Sequence, residues 1–488
     1  MNILLASAEV DPFAKRGGLA DIAASLPAEW AKYGQNPIII MPKYGFIDTH
    51  YYGFKPTYLV LYVPIGNWME FGHLWYGTLP NTNVPVYLVE NADYFNRWGI
   101  YGDPNEYLDN DRRFIFFSRA VMEAAKALNF KPDIIHAHDF HTAFTMAFLK
   151  SQYKFDYHFA RTAGVYTIHN LAYQGWFNPE RAMDFSTFGM KEFYPGSWFE
   201  RFGVVNAMKT GLMFSDKITT VSPTYAQEIR YPYFSEGLQD ILNLRAGDLI
   251  GILNGANYQE WNPETDKRIY KKYSSINLQD KEENKRRFVE EYFGTTENIE
   301  MPLIGMTTRL TEQKGIDLIM NKIEYFLSNN EFRFVLLGSG EKKYEDFFNY
   351  LAWKYPGKVS IHVGYNNVMS YRILAASDFF FVPSRFEPCG LTQMYAMKYG
   401  SIPIVRNTGG LADTVKEYNW NNGEGCGLVF YQYNADDFAF AIRRALSIYK
   451  QEPHWDIIRR NAMTNDFSSG RSALEYLKVF KWALEKVL

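Results

Sequence analysis

Pro383-Ser384-Arg385-Phe386-Glu387-Pro388-Cys389-Gly390-Leu391-Thr392 follows the apolar run Phe379-Phe380-Phe381-Val382 and precedes a stretch of helical character from Gln393 to Tyr399. A strand that ends in a turn and then opens a helix is the repeating unit of a parallel α/β sheet. Such a turn gathers its side chains and the first helical N–H groups at one spot. Here that places the Glu387 carboxylate, an acceptor for hydroxyl groups, beside the amides of Gly390, Leu391 and Thr392, which suit an anion. A ligand carrying both sugar hydroxyls and a diphosphate fits this combination. Residues 401–415, with Thr408-Gly409-Gly410 at the turn, repeat the same order of strand, glycine and helix.

Working outward, strand-length apolar runs alternate with helix-period segments along the chain. Strands are expected at 3–7, 37–41, 84–90, 133–137, 165–168 and 217–221, with helices near 19–34, 113–128, 143–152 and 223–229. In the first of these helices Leu19, Ile22, Ala23, Leu26, Trp30 and Tyr33 share a face. In the last, Ser222 is placed to cap and Pro223 to open the helix. The pattern restarts with strands at 303–307, 333–337, 359–363, 379–383, 402–406 and 427–430, and helices near 316–327, 344–355, 369–376, 393–399 and 435–449. Strands separated by helices imply parallel pairing through right-handed crossovers. The fold class is α/β, with two Rossmann-like doubly wound domains facing each other. The hinge is expected near Gly251–Asn257, and the polar, charged run from Asn262 to Glu290 lies between the halves.

Three other places have side chains suited to chemistry. Lys15-Arg16-Gly17-Gly18 sits between a strand and a helix, where two glycines allow close approach to a phosphate and two cations flank it. It is neither Gly-x-Gly-x-x-Gly nor a nucleotidase loop, and an ordinary glycine-rich turn explains it about as well. That absence also counts against a nicotinamide oxidoreductase. Arg309 and Lys314 straddle a turn into a helix, a place that repels cations unless an anion is bound. The Arg offers a fixed fork and the Lys a mobile charge, both able to neutralise a departing diphosphate. The run His136-Ala137-His138-Asp139-Phe140-His141 has the look of metal ligands, with His136 and His138 on one face of a strand. The acid stands one place off the usual metallo-hydrolase order, so a hydrolase using His136, His138 and His141 is only a rival reading. Tyr365, following a strand, is placed to stack on a nucleobase or simply to sit at a rim. Cys389 has no base paired with it in sequence and reads as a small packing residue in the site. Asp109-Asn110-Asp111 precedes a helix and is best read as helix capping.

The run from Ser384 to Val415 resembles the bacterial glycogen synthase and plant starch synthase family. Three further blocks carry the resemblance in the family's order over nearly the whole chain: Lys15–Asp21, Thr167–Gly175 (Thr-Ile-His-Asn-Leu-Ala-Tyr-Gln-Gly) and Thr308–Gly315 (Thr-Arg-Leu-Thr-Glu-Gln-Lys-Gly). The family pattern in the first block is Lys-x-Gly-Gly-Leu, and Arg16 stands where a small residue is expected. The resemblance implies a GT-B glycosyltransferase with its active site in the cleft between the domains. Residues 1–250 would form the acceptor-side domain and 251–465 the nucleotide-sugar domain, with a helix in 466–488 crossing back to the first. It further implies that Glu387 contacts the transferred glucose, that His169 contacts the sugar at the reacting carbon, and that Arg309 and Lys314 bind the diphosphate. Lys15, Gly17, Gly18, Asp21, Asp139, Asn254, Tyr365, Cys389, Gly390, Leu391 and Thr392 would complete the substrate contacts. The first-domain loop that meets the acceptor matches Tyr94–Arg113. The implied reaction moves glucose from ADP-glucose or UDP-glucose to the non-reducing 4-OH of an α-1,4-glucan with retention, and neither metal nor cofactor is expected. A non-catalytic glucan-binding relative is the other alternative, but such a relative would be expected to lack Glu387, Arg309 or Lys314.

Bulk properties agree with this class. The 488 residues carry a net charge of −3, which gives no electrostatic reason to expect nucleic acid or an anionic membrane as a partner. With only Cys389 and Cys426, no disulfide framework or cysteine-based zinc site can be built. No signal-peptide pattern opens the chain and no apolar stretch approaches the ~20 residues of a membrane span. A cytoplasmic protein is expected, and a plastid protein freed of its transit peptide would read the same. Aromatic residues make up 17% of the chain, and most are expected to fill cores rather than bind sugar.

Overall fold

The computed structural model describes every residue except Pro104, Asn330 and Leu488. Two units form, Met1–Gly255 with Ser469–Leu488, and Ala256–Ser468. The chain thus passes between them at Gly255–Ala256 and again at Ser468–Ser469.

Among the described residues the first unit has a sheet of nine strands. In spatial order they are Leu249–Gly251, Lys217–Thr220, Ala163–Ile168, Ile134–His138, Asn2–Ala6, Asn36–Pro42, Pro85–Glu90, Trp68–Thr78 and Lys55–Ile65. The first seven run parallel and the last two add antiparallel. Chain order reverses between Asn2–Ala6 and Ile134–His138, the switch point at which doubly wound sheets leave a crevice beyond their carboxyl ends. The central strands are buried on both faces, which explains why they read as unbroken apolar runs.

The second unit is a fully parallel sheet in the order Val359–Val363, Arg333–Gly338, Leu303–Thr307, Phe379–Val382, Ile402–Arg406, Leu428–Phe430. Its switch point lies between Leu303–Thr307 and Phe379–Val382. Arg309 and Lys314 follow the first of these strands, and the Glu387 turn follows the second. Topology alone therefore brings the three together.

Helix Ser469–Leu484 belongs to the first unit and packs on helix Gly18–Lys32. Trp30 donates from Nε1 to the Ala473 carbonyl at 3.2 Å, and its ring lies 5.1 Å from Phe480 and 6.2 Å from Tyr476. The same two aromatics reach His136, so the underside of the sheet is sealed by the last helix of the chain.

Several elements go beyond the sequence pattern. The hairpin Lys55–Ile65/Trp68–Thr78 buries Leu61, Val63, Ile65 and Leu74 on one face and exposes Tyr62 and Phe71 on the other. The charged run expected between the halves contains helix Gln279–Phe293, inside the second unit. Its lysines are buried. Lys285 pairs with Asp378 at 2.7 Å, and Lys281 donates to the Leu374 and Ala375 carbonyls at 3.2 and 2.8 Å, closing the end of helix Asn367–Ala376. Ser222 caps helix Pro223–Glu228 by accepting from the Tyr225 amide at 3.2 Å. Asp109, by contrast, makes no side-chain cap, because its carboxylate takes both Arg97 guanidinium nitrogens at 2.7 Å.

Candidate active site

In the second unit Glu387 lines a cavity at the switch point together with Thr307, Lys314, Ser384 and Gln393 and the apolar Phe381. Its side chain is 9% exposed, and Lys314 Nζ lies 3.1 and 2.8 Å from its two oxygens. Ser384 Oγ donates to Glu387 Oε2 at 2.8 Å. The turn's backbone is fixed from two sides. Gly315 and Gly409 both adopt positive φ, +71° and +45°, and a Cβ on either would meet a carbonyl oxygen, of Pro383 at 2.1 Å or of Glu387 at 1.9 Å. Gln393 Nε2 donates to the Cys389 and Gly390 carbonyls at 3.0 and 2.9 Å, while its Oε1 and Thr307 Oγ1 are buried without a partner among the described residues. Buried polar atoms left over in a cavity suit a ligand rich in hydroxyl groups.

Arg309 is exposed, with no hydrogen bond or ion pair to its guanidinium among the described residues. Cys389 is 4% exposed, in keeping with a packing role. Tyr365 is 86% exposed, its hydroxyl 3.4 Å from Asn367 Oδ1, so its ring is open to a planar partner. Gly390 has φ +71° and precedes Leu391 and Thr392, where the short helix Thr392–Lys398 begins.

The first unit collects the remaining residues at the carboxyl ends of its parallel strands. Asp139 leaves strand Ile134–His138 with φ +53°, a conformation few side chains adopt, and accepts from the His169 amide at 2.7 Å. Burial pushes its carboxyl up to about 7 against the lowering pull of the His169 and Asn170 amides. His169, 8% exposed, shares a proton with His138 across 2.8 Å between Nε2 and Nδ1. Burial lowers His169 and His136 to about 3 and holds His138 and His141 well below the usual range, so all four rings are neutral at physiological pH. Asn254 is buried, and its Oδ1 has no partner among the described residues. Lys15 pairs with Asp21 at 2.6 Å, and Gly17 caps the helix that begins at Gly18.

The rival metal site does not assemble. His136 Nε2 meets Thr167 Oγ1 at 2.6 Å, His138 meets His169, and the His141 ring stacks on Tyr101 at 4.4 Å. Among the described residues no three His, Cys, Asp or Glu side chains gather as a metal would require.

Sequence reasoning passed over Glu9 and Tyr101. Glu9 is 4% exposed and accepts from the Arg16 and Gly17 amides at 2.6 and 3.0 Å, with Tyr101 OH donating to its other oxygen. Two of the amides expected to face a phosphate therefore already have a carboxylate as partner. No spacing motif marks Glu9. The available hint was an acid three residues after the end of the first strand, between Ala8 and Val10.

Residues 2–244 match the model of the starch synthase catalytic domain, and residues 290–462 match glycosyl transferases group 1. The chain is 41% identical over 485 residues to the glycogen synthase of Bacillus cereus, covering 99% of this chain and all of that one. It is 42% identical over 488 residues to the glycogen synthase of Thermosipho melanesiensis, with both chains fully covered. The chain belongs to the glycogen and starch synthase family. A solved member, the catalytic domain of Starch Synthase IV from Arabidopsis thaliana bound to ADP and acarbose, superposes with a TM-score of 0.91 at 34% identity and covers 99% of each chain. As a glycogen/starch synthase the protein is a glycosyltransferase of GT-B fold. No helix among its described residues is long and apolar enough to cross a membrane.

One consequence of the buried first-unit groups can be measured directly. The four neutral histidines bind protons on unfolding once pH falls below their ordinary value near 6.5, so each contributes stability that is lost on acidification. Asp139 acts the other way. Its raised carboxyl favours the folded state below about 4, and that contribution is lost as pH rises through about 7. Burial raises the Glu9 and Asp111 carboxyls in the same sense as Asp139, and the four histidines outweigh these three, so the first unit's thermal transition should fall between pH 7 and pH 5. Asp139→Asn should make that fall steeper; an unchanged pH profile in the variant would show that Asp139 is ionised throughout the range.

Proposed function

We propose that this synthase transfers glucose from ADP-glucose to the non-reducing 4-OH of an α-1,4-glucan with retention of configuration, using neither metal nor bound cofactor. The observation that carries the reading is the Glu387 cavity: one buried acid, held by Lys314 and Ser384, with the exposed Arg309 in the turn that also carries Lys314. A retaining glycosidase would need a second carboxylate about 5 Å away as nucleophile. The present set supplies one acid and two cations, which suits a front-face displacement. In that reaction the bond from the anomeric carbon to the phosphate oxygen breaks, its electron pair leaving with the diphosphate. The bond to the acceptor O4 forms on the same face, and the acceptor proton passes to the departing phosphate.

Arg309 and Lys314 would take the growing phosphate charge, and Glu387 would hold the glucose hydroxyls. From the first unit, His169 would meet the sugar at the reacting carbon, Asp139 would lie near the donor sugar and Asn254 would offer its side-chain carbonyl. Lys15, Gly17, Gly18 and Asp21 would line the acceptor side. Tyr365 would stack on the base, with Gly390, Leu391 and Thr392 meeting the sugar or phosphate by their amides. The Arabidopsis relative's complex with ADP and acarbose supports a sugar-nucleotide donor such as ADP-glucose and an oligosaccharide acceptor.

The test is incubation with a glucan primer and either ADP-glucose or UDP-glucose, with and without EDTA, following released nucleoside diphosphate and chain growth. Primer-dependent, EDTA-resistant transfer that is faster from ADP-glucose is expected. Loss of activity in EDTA would overturn the metal-free mechanism. Glucan binding without transfer from either donor would leave a non-catalytic relative.

A further inference from the structure

Glu9 is the most completely engaged side chain near the proposed site to which that reading gives no task. Its carboxylate is 4% exposed and meets three donors: the Tyr101 hydroxyl on Oε1, and the Arg16 and Gly17 amides on Oε2. Helix Gly18–Lys32 has no side-chain cap of its own, since Gly17 occupies the capping position. Glu9 supplies an acceptor from outside the helix, eight residues earlier in the chain. Tyr101 is itself fixed. Its ring stacks on His141 at 4.4 Å with an interplanar angle of 18°, and His141 packs edge-on against Phe114 at 4.7 Å. The loop 15–18 is thereby tied through Glu9 and Tyr101 to His141, in the turn that follows strand Ile134–His138.

We propose that Glu9 is a positioning residue for glucosyl transfer, its buried carboxylate setting the shape of the Lys15–Gly18 loop and coupling that loop to the Tyr101 segment. The proposal rests on the reading of the loop as part of the substrate site. Geometry supports it over a purely structural role. Residues 15–18 are exposed, and their side-chain ties are the ion pairs of Lys15 with Asp21 and Asp11, at 2.6 and 3.6 Å. The Arg16 and Gly17 amides, at 2.6 and 3.0 Å from Glu9, tie the loop's backbone to a buried carboxylate. Both amides converge on one oxygen, so the carbonyl of a glutamine can still accept both, more weakly, while an alanine leaves both without that partner.

The ionisable groups around Glu9 are Arg16, Tyr44, Tyr101 and Asp139. Burial pushes the Glu9 carboxyl up, while Tyr101, the two amides and Arg16 pull it down.

Glu9→Ala, Glu9→Gln and Tyr101→Phe would be compared with the unaltered chain by two readouts. The first is amide hydrogen exchange over residues 13–20, which reports the loop independently of activity. The second is kcat and KM for the sugar nucleotide and for the glucan primer. Glu9→Ala should speed exchange at Arg16 and Gly17 and lower kcat/KM by about ten- to a hundred-fold, the range for losing hydrogen bonds to a charged partner. Glu9→Gln should restore both to within about five-fold, and Tyr101→Phe should fall between. Three results would overturn the proposal. They are unchanged loop exchange in Glu9→Ala, activity lost only in proportion to unfolded protein, or Glu9→Gln as inactive as Glu9→Ala, which would mean that the charge itself takes part. If the unaltered chain transfers no glucose, the transferase reading fails, and the exchange data still decide whether Glu9 shapes the loop.

Discussion

Glu387→Gln is expected to lower kcat about a thousand-fold while leaving the protein folded. The substitution keeps the shape of the side chain, and Ser384 Oγ, 2.8 Å from Oε2, still has an oxygen to donate to. What disappears is the charge opposite Lys314, whose Nζ reaches both carboxylate oxygens. A glutamine turns an NH2 toward one of those contacts, so the lysine loses its counter-charge in a site where its side chain is only 19% exposed. In the proposed reaction the glucose hydroxyls lose a charged acceptor as well. Removing a single preorganised group that meets developing charge costs about 10²–10³ in rate, and Glu387 both contacts sugar and orients Lys314 in the proposed reaction. Initial rates of nucleoside diphosphate release, with circular dichroism to check folding, measure the effect. A variant that keeps its kcat and loses only KM would reduce Glu387 to a binding role.

Gly409→Ala should destabilise the second unit by about 3 kcal/mol or more, and the fraction that still folds should be slow. Two penalties add. Alanine at φ +45° takes a left-handed conformation that costs about 1–2 kcal/mol. Its Cβ would also stand 1.9 Å from the Glu387 carbonyl oxygen, and forcing extra atoms into a packed site costs about 1–3 kcal/mol. The obstructing atom is backbone, so no rotamer relieves it. The only escape moves the turn, and that turn carries Glu387; the Gly410 amide also donates to the Glu387 carbonyl at 3.0 Å. Thermal unfolding followed together with kcat separates the two parts of the effect. A variant of ordinary stability and ordinary rate would show that the turn can shift without disturbing the carboxylate.

The parallel cores were legible because buried parallel strands are apolar on both faces, and runs such as Phe379–Val382 and Leu303–Thr307 stand out between glycine turns. Helix Gln279–Phe293 was not, because its charge reads as a solvated linker. Only the packed structure shows Lys281 closing another helix and Lys285 paired with Asp378. The edge hairpin was missed for a related reason. It alternates buried Leu61 and Val63 with exposed Tyr62, so neither face carries a clear polar signal. In the site, Lys314 and Glu387 were identified by their turns, and the structure adds that they touch. Glu9 stayed hidden because its partners are amides seven and eight residues away and a tyrosine 92 residues away, which no local pattern records.

The helix Ser469–Leu484 gives the molecule a fixed order of completion as it leaves the ribosome. Residues 1–255 emerge first, yet Trp30 and His136 wait for Tyr476 and Phe480, which are translated more than three hundred residues after His136. The later unit, Ala256–Ser468, is continuous and can close before them. The unit that is begun first is therefore finished after the second, and an apolar patch on its sheet stays uncovered until residues 469–484 have been made. A nascent chain interrupted anywhere before residue 469 would carry that patch exposed, a natural mark by which quality control could distinguish an incomplete enzyme from a finished one.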